Sequence, residues 1–205
     1  MGLYARHVLP RLLEWAMNDR PIMRQRAKVV PLAHGRVLEV GVGSGLNLAF
    51  YDKSKVEKVI GLDPSMELNV LARRRAAEAG LDVDWLGLSS EQIPLPDRSI
   101  DSIVITYTMC SIPDVASALL EMHRVLKPGA SMYFSEHGAA PDASVRRWQD
   151  RINPLWGRIA GGCNVNRDVR GMLRRAGFEL AEVESLYLPG PRPLAFNTWG
   201  RATRA

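Results

Sequence analysis

The stretch Arg36–Gly45 reads RVLEVGVGSG, and it decides the fold. Its first part, a run of apolar residues around Glu39, is typical of a short strand that is buried on both faces. The three glycines that follow tolerate positive φ and let a ligand approach the backbone without a Cβ in the way. We expect a helix to begin at Leu46, so that free N–H groups and the helix dipole favour an electron-rich ligand. The stretch therefore predicts a ligand-binding loop at the carboxyl edge of a parallel sheet.

The spacing of charges and glycines indicates which ligand this loop binds. The pattern is G-x-G-x-G, and Leu46 stands where the dinucleotide fingerprint has its last glycine. Glu39 would repel a pyrophosphate, but it would suit a cationic amino-acid group. The next predicted strand, Lys58–Asp63, ends in an acid that can accept both hydroxyls of a ribose. A ligand with a ribose, a charged amino acid and no phosphates is indicated, and S-adenosylmethionine fits.

Further motifs make residues 36–136 resemble the seven-stranded, class I S-adenosylmethionine-dependent methyltransferases, and within them the methyltransferase type 11 domain. They are VLEVGVGSG at 37–45, GLDP at 61–64, IPLPDRSID at 93–101 and RVLKPGA at 124–130. The resemblance implies an α/β fold with a Rossmann-like, doubly wound sheet of seven strands. The sheet is mostly parallel with an antiparallel last strand, helices cover both faces, and an N-terminal helical lid precedes it. S-adenosylmethionine is the implied cofactor, and S-adenosylhomocysteine is the product.

The cofactor is expected beyond the carboxyl ends of the first, second and fourth strands, where ligands bind in open α/β sheets. The loop from Gly87 to Arg98 should border the adenine. Many family members carry an acid there, and Ser89 stands near that place in this chain, which leaves part of the contact to the backbone of Ser90. The predicted cofactor-binding residues are Glu39, Gly41, Gly43, Gly45, Asp63, Pro64, Ser65, Ser89, Ser90, Thr106 and Tyr107.

The methyl acceptor is expected near the donor methyl, beside residues 106–110. His137 is the candidate general base, because it lies at a predicted strand tip and imidazole titrates near neutral pH; the alternative is a hydrogen-bonded structural histidine. Cys163 lines the cavity or is simply packed, and Cys110 is explained more simply as a small buried hydrophobe. The predicted substrate pocket comprises Tyr4, Cys110, His137, Trp148, Cys163 and Asn164. No metal site is predicted, because no His/Cys/Asp group has metal-ligand spacing.

The carboxyl-terminal half resembles the thiol S-methyltransferase branch of methyltransferase-like proteins. Short forms of this kind also resemble phospholipid N-methyltransferases. The residues that carry the likeness are Met109-Cys110-Ser111, Glu136-His137, Asn153-Pro154-Leu155-Trp156 and Gly162-Cys163-Asn164. The resemblance implies methyl transfer to a small-molecule acceptor, with a thiol as first candidate. The alternatives are a phosphatidylethanolamine-type lipid headgroup and a protein that binds S-adenosylmethionine without catalysis.

Length and composition limit the number of domains, the class of partner and the cellular location that we expect. The chain has 205 residues, 46% of them hydrophobic, which suits one globular domain. A net charge of +5 is too small to indicate a nucleic-acid partner. The two cysteines define no disulfide framework and no apolar run reaches transmembrane length, so a cytoplasmic protein is expected. We divide the domain into a helical lid (1–30), a cofactor-binding core (36–137), a substrate-covering insertion (142–166) and carboxyl-terminal strands (178–201).

The segment from Gly2 to Lys28 is predicted to be helical, split by Pro10 and Pro21. As a lid, it would pack an apolar stripe down onto the core and bring Tyr4 and Trp15 to the substrate cavity. The stripe is Leu9, Leu12, Leu13 and Ala16, and the basic face expected in solvent includes Arg6, Arg11, Arg20, Arg24, Arg26 and Lys28. The alternative is a basic surface helix that rests on anionic lipid, which would be a peripheral membrane contact.

In the second half, the apolar spacing predicts three helices, the last from about Arg167 to Ala176, and a strand hairpin. One helix begins near Asp114, carries Leu126 on its buried face and ends at Lys127. A second follows Asp142 and is interrupted by Pro154; its apolar stripe is Val145, Trp148, Ile152, Leu155 and Ile159. The proline-rich turn before Leu194 predicts that the last strand is antiparallel to its neighbour.

Overall fold

The computed structural model describes residues 9–65 and 69–204, except for the side chains of residues 10 and 11. The strands are β1 Gly35–Val40, β2 Val56–Leu62, β3 Val83–Leu86, β4 Ile100–Thr106, β5 Leu126–His137, β6 Phe178–Tyr187 and β7 Phe196–Arg204. The α-helices are α1 Leu9–Met17, α2 Arg20–Val29, α3 Asn69–Ala79, α4 Val115–Val125, α5 Ala143–Ile159, α6 Val169–Arg175 and α7 Arg192–Ala195.

Within these residues one seven-stranded sheet forms, in the order β3-β2-β1-β4-β5-β7-β6. β7 is antiparallel to both of its neighbours, and every other adjacent pair is parallel. The carboxyl ends of β1, β2, β4 and β5 therefore meet at one edge, where the predicted site residues lie. The predicted Rossmann-like sheet with an antiparallel last strand is confirmed.

Alternate residues of the central strands pack into two separate layers. Leu38 and Val40 belong to a core that includes residues of α4 and α6. Val37 belongs to the core on the other face, where residues of α2 and α3 lie. Because strand side chains alternate between faces, this near-continuous apolar run buries both faces of β1. The prediction of helices on both faces is confirmed.

The helix predicted to begin at Leu46 is wrong. The chain forms only one 3₁₀ turn there, Leu48–Phe50. Once Gly41–Gly45 form the glycine loop, only residues 46–55 remain to return to the opposite edge of the sheet, and they do so through this turn and irregular chain. The glycine loop, Gly41–Gly45, therefore lacks the helix dipole that the sequence led us to expect.

Two further boundaries differ from the prediction. α4 ends at Val125, and Leu126 pairs with Ile100 as the first residue of β5, so it is not part of the helix. α5 continues through Pro154. Its buried face carries Gln149, whose side-chain amide bonds the backbone of Gly138, Ala140, Val165 and Pro193.

Only part of the predicted apolar stripe of α5 is buried: Val145 shares the buried face with Gln149, and Ile152 packs partly buried against the cluster that contains Cys163. A helix buries only one narrow face, so the rest of the stripe points outward. Trp148 is 57% exposed, and Leu155 and Ile159 are exposed as well. No helix among residues 9–65 and 69–204 has the length and apolar character needed to cross a membrane.

Candidate active site

The three glycines of the glycine loop all have positive φ, of +74°, +50° and +81° for Gly41, Gly43 and Gly45. The three glycines differ in the space available for an added Cβ. A Cβ at Gly41 would clash with the Thr108 side chain, and one at Gly45 would crowd Leu48. A Cβ at Gly43 would meet nothing closer than 3.9 Å. Gly41 and Gly45 are therefore required by packing, whereas Gly43 faces open space that a ligand can enter.

Asp63 ties the end of β2 to this loop. Its Oδ2 accepts a hydrogen bond from the Gly43 N–H at 2.8 Å, and its Oδ1 accepts one from the Ser65 N–H at 2.8 Å. A carboxylate oxygen can accept more than one hydrogen bond, so Asp63 can also receive the hydroxyls of a ribose.

A shallow cleft opens beside these groups. It is lined by Val42, Gly43, Gly61, Asp63, Ser65, Asn69, Trp85 and Leu86. An apolar floor beside a hydroxyl-binding carboxylate and a bare glycine backbone fits the adenosine part of S-adenosylmethionine.

Glu39 is fully buried one strand away, at the carboxyl end of β1. Its two oxygens accept hydrogen bonds from Asn47 Nδ2 at 3.1 Å and from the Tyr51 hydroxyl at 2.8 Å. Burial raises the pKa of Glu39 to about 7 despite these bonds. A cation bound beside it would stabilise the ionised carboxylate, as the ammonium of the cofactor's amino-acid part would.

Arg26 completes this network, and the sequence did not predict it. It was expected on a solvated face of the N-terminal segment, but it is 5% exposed. Its Nη1 donates to Asn47 Oδ1 at 2.8 Å and to Thr106 Oγ1 at 2.5 Å, and its guanidinium lies 5.3 Å from the Tyr107 ring centroid. The available signal was its position three residues before Val29, because residues at that spacing share a helix face.

The turn after β4 is held in a strained conformation. Tyr107 has φ of +53°, which a residue with a side chain rarely adopts. Glu136 in β5 supports the turn, because its Oε1 accepts the N–H groups of Thr108 at 2.7 Å and Met109 at 3.0 Å. Burial raises the pKa of Glu136 to about 7. Glu136 thus positions the chain between the cofactor and acceptor sides, and an acid inside an apolar strand was the signal for it.

Four of the six predicted pocket residues come together beyond the ends of β4 and β5. Cys163 Sγ lies 3.2 Å from His137 Nε2, and Asn164 Nδ2 donates to the Cys110 carbonyl at 3.0 Å. We call Cys110, His137 and Cys163 the acceptor cluster. Burial alone would lower the pKa of His137, but the Cys163 thiol and the Glu136 carboxylate raise it above its usual value. Contact with Cys110 and burial raise the pKa of Cys163.

The other predicted residues are placed as follows. Trp148 does not contribute to an enclosed pocket, because it is more than half exposed and its ring lies 5.7 Å from the Arg151 guanidinium carbon. Tyr4 lies outside the described residues. Thr106 is buried in the Arg26 network. Ser90 is buried and Ser89 is exposed in the loop after β3, while Pro64 and Ser65 follow Asp63 at the edge of the cleft.

Helix α1, part of the predicted lid, reaches the glycine loop. Glu14 accepts hydrogen bonds from the Ser44 hydroxyl and from Arg75, whose Nη2 lies 2.6 Å from Oε1. Burial by itself would raise the pKa of Glu14. The hydrogen bonds from Arg75 and Ser44 lower it by more, so the pKa of Glu14 is below its usual value. Leu9 and Leu13 lie over Gly161, as the predicted stripe requires.

Two details of that prediction are wrong. Leu12, which was expected to pack onto the core with the rest of the stripe, is 49% exposed. Trp15, which was expected at the substrate cavity, is 79% exposed. Glu14 points toward the glycine loop. Because consecutive residues of a helix point in different directions, Trp15 points away from the loop and into solvent.

Comparison with known proteins agrees with this geometry. A family described as a methyltransferase domain matches residues 38–134. Human thiol S-methyltransferase TMT1A is 32% identical over 157 residues, which are 75% of this chain and 64% of that protein. Rat thiol S-methyltransferase TMT1B is 30% identical over 175 residues, 82% of this chain and 70% of that protein. The chain thus spans slightly less than two thirds of the human relative.

A third relative and a solved structure widen the comparison. Phosphatidylethanolamine N-methyltransferase of Cereibacter sphaeroides is 33% identical over 129 residues, 60% of this chain and 63% of that protein. N-methyltransferase NodS of Bradyrhizobium japonicum WM9, solved with S-adenosylhomocysteine, shares the fold with a TM-score of 0.71 at 17% identity, covering 97% of each chain. By its sheet, its cofactor loop and these relatives, the chain belongs to the class I, seven-stranded S-adenosylmethionine-dependent methyltransferases.

Proposed function

We propose that this methyltransferase transfers the methyl group of S-adenosylmethionine to the sulfur of a small-molecule thiol. The observation that carries the proposal is the acceptor cluster, in which Cys163 Sγ and His137 Nε2 are 3.2 Å apart just beyond the strand ends that bear Thr106 and Glu136. Two relatives named as thiol S-methyltransferases, at 30–32% identity, support the same acceptor class.

The cofactor would lie along the edge from β2 to β4. Asp63 would accept its ribose hydroxyls, and Gly43 would leave the backbone open to it, with Pro64, Ser65, Ser89 and Ser90 around the adenosine. Glu39 and Arg26, two buried groups of opposite charge, would pair with the ammonium and carboxylate of its amino-acid end. The cofactor itself supplies an activated methyl group on a sulfonium.

The acceptor side has to align a sulfur with that methyl and exclude water. Cys110 and Val165 form one buried cluster with Cys163, which contacts His137, so the surroundings are dry. His137 Nε2 would accept the proton of the acceptor thiol as the sulfur–methyl bond forms. A thiol has an unperturbed pKa of about 8.5, so a weak base near neutrality is sufficient.

The direct test supplies methyl-labelled S-adenosylmethionine together with a thiol, an alcohol and an amine that share one carbon skeleton. Mass spectrometry of the products should show the methyl thioether and neither of the other two products. His137→Gln should lower kcat and leave the affinity for S-adenosylhomocysteine unchanged, because the residue lies on the acceptor side. Methylation of the amine in preference to the thiol would refute the proposal.

A second candidate is methylation of a phospholipid headgroup, and one surface feature favours it. The exposed face of α5 combines Trp148, Leu155 and Ile159 with the cation of Arg151. Apolar and aromatic residues beside basic ones suit an anionic lipid surface. On this alternative, turnover with anionic vesicles that contain phosphatidylethanolamine should exceed turnover with thiols, fall with added salt and fall again in Leu155→Glu. Thiol turnover that Leu155→Glu and salt leave unchanged would exclude it.

A further inference from the structure

The acceptor cluster has the composition of a metal site. Its two sulfurs and one imidazole nitrogen come from three places: the turn after β4, the last residue of β5, and the loop after α5. All three ligand atoms lie within 4.8 Å of one another. In tetrahedral zinc sites, Zn–S bonds of about 2.3 Å and Zn–N bonds of about 2.0–2.1 Å put the ligand atoms about 3.5–3.8 Å apart. Small side-chain rotations would therefore bring all three atoms onto one ion.

The backbone around the cluster is already held in place. The Asn164 N–H and Nδ2 both donate to the Cys110 carbonyl, at 2.9 and 3.0 Å. Asn153 Oδ1 accepts the Val165 N–H at 2.9 Å and Asn153 Nδ2 donates to Asn164 Oδ1 at 3.0 Å. These bonds fix the two cysteine-bearing turns relative to each other, so an ion would bind to a preformed arrangement.

The groups near the two cysteine sulfurs are hydrogen-bond donors, and one of them carries a positive charge. Trp156 Nε1–H points at Cys163 Sγ from 3.3 Å. Arg167 donates to the Met109 carbonyl, next to Cys110. Donors around coordinating atoms orient them and tune the metal, and they stabilise thiolates. Both cysteines are buried, which keeps water from competing for the ion.

We propose that Cys110, His137 and Cys163 bind one soft divalent metal ion, with Zn²⁺ as the ion that best matches the ligands. Two thiolates and a neutral imidazole balance the charge of Zn²⁺, and sulfur and nitrogen are the ligands it prefers. Three protein ligands leave a tetrahedral ion one further position, which is the arrangement of catalytic rather than structural zinc sites.

The role of the fourth coordination position in binding the acceptor rests on the proposed function, whereas the metal site itself does not. The acceptor thiol would bind there and release its proton to solvent, because a coordinated thiol is deprotonated. Its sulfur then bonds to the methyl carbon while the carbon–sulfonium bond breaks, and that electron pair stays on the departing thioether sulfur. With the ion bound, His137 Nε2 is a ligand, so the cation takes over the proton-removing role.

Metal binding can be measured without turnover. Protein stripped with a chelator is titrated with Zn²⁺ against a chromophoric chelator, and with Co²⁺ in the spectrometer. We expect one Zn²⁺ per chain and thiolate-to-cobalt charge-transfer absorption. The chain has two cysteines, so any such band must come from Cys110 or Cys163. Cys110→Ser/Cys163→Ser should abolish the band, and His137→Gln should weaken Zn²⁺ binding at least tenfold, whereas His34→Gln should bind like the parent.

Binding of S-adenosylhomocysteine shows that each variant is folded. Folded parent protein that takes up no stoichiometric Zn²⁺ and gives no cobalt–thiolate band would overturn the metal site, and so would binding that all three ligand substitutions leave unchanged. Full thiol methylation by stripped protein would refute the metal's part in the reaction while supporting the proposed function. Stoichiometric binding without methylation of any thiol would support the site and refute the proposed function.

Discussion

The cofactor side and the acceptor side lie at the same edge of the sheet, but they are assembled differently. The cofactor side is formed mainly by Glu39, the glycine loop and Asp63, which follow one another over two neighbouring strands. The acceptor cluster joins residues 110, 137 and 163, which come from the turn after β4, the end of β5 and the loop after α5. The first is a local arrangement that one motif encodes, and the second exists only because the sheet brings distant segments together.

The largest expected effect follows from removing the acid of the cofactor side. Asp63→Ala should weaken S-adenosylhomocysteine binding about 100-fold or more, because two charge-assisted hydrogen bonds to the ribose contribute on the order of 1.5–3 kcal/mol each. Calorimetry would measure this loss. Zn²⁺ affinity should be unchanged in the same variant, since Asp63 is not part of the acceptor cluster. An unchanged affinity for S-adenosylhomocysteine would show that Asp63 does not hold the ribose.

A pair of glycine substitutions sharpens the distinction within the glycine loop. Gly41→Ala should lower the free energy of unfolding by about 1–3 kcal/mol, because its Cβ would overlap the Thr108 side chain. Gly43→Ala has room for a Cβ and should lose only about 1 kcal/mol for its positive φ, yet it should impair cofactor binding more strongly. Thermal melts and calorimetry separate the two effects. Gly43→Val should reduce binding further, and equal binding by all three variants would contradict the assignment.

The pH dependence of Glu39 tests the electrostatics of the cofactor side. Burial raises its pKa in the folded protein from 4.5 to about 7. Because the folded pKa is the higher one, its contribution to stability is complete below pH 4.5 and is lost as the pH rises through about 7. Affinity for S-adenosylhomocysteine should rise over the same range, since the ammonium favours ionised Glu39. Glu39→Gln should flatten both trends, and a flat binding profile in the parent would contradict the contact.

The smallest expected effect concerns the contact between α1 and the glycine loop. Glu14→Gln should cost about 1 kcal/mol of stability and expose α1 to limited proteolysis, because it weakens a partly buried pair with Arg75. Glu78→Gln is the matched control, since its pair with Arg74 is mostly exposed and such pairs contribute little. If the two variants behaved alike, the α1 contact would not hold the predicted lid in place.

Much of the sheet and of the cofactor side could be predicted from the chain alone. The strands around the glycine loop, the position of Asp63 and the antiparallel last strand follow from local patterns: apolar runs, glycine spacing and a proline-rich turn. The error in this region, a helix predicted to begin at Leu46, also concerned a short stretch of chain. No pattern at Leu46 revealed that the connection to β2 forms only a single 3₁₀ turn.

Burial was predicted less well, because it depends on what packs against each element. Arg26 looked like one of several solvated basic residues, but helix α2 turns it toward Asn47 and Thr106. Trp148 looked like a core residue of an apolar stripe, but Gln149 satisfies four backbone groups and so takes the buried face of α5. A helix that buries the face of Gln149 and Val145 leaves Trp148, on the neighbouring face, in solvent.

The sequence by itself determined the sheet, the glycine loop and the acid that ends β2, because these features are written in consecutive residues whose conformations depend on their immediate neighbours. The sequence placed Cys110, His137 and Cys163 in one predicted pocket, but only the tertiary structure decided that their ligand atoms lie within 4.8 Å of one another, and that Glu136 supports the turn between the two sides. The physical reason is that a contact across 53 residues of chain leaves no spacing to recognise; it depends on the strand order, which places the carboxyl ends of β4 and β5 side by side.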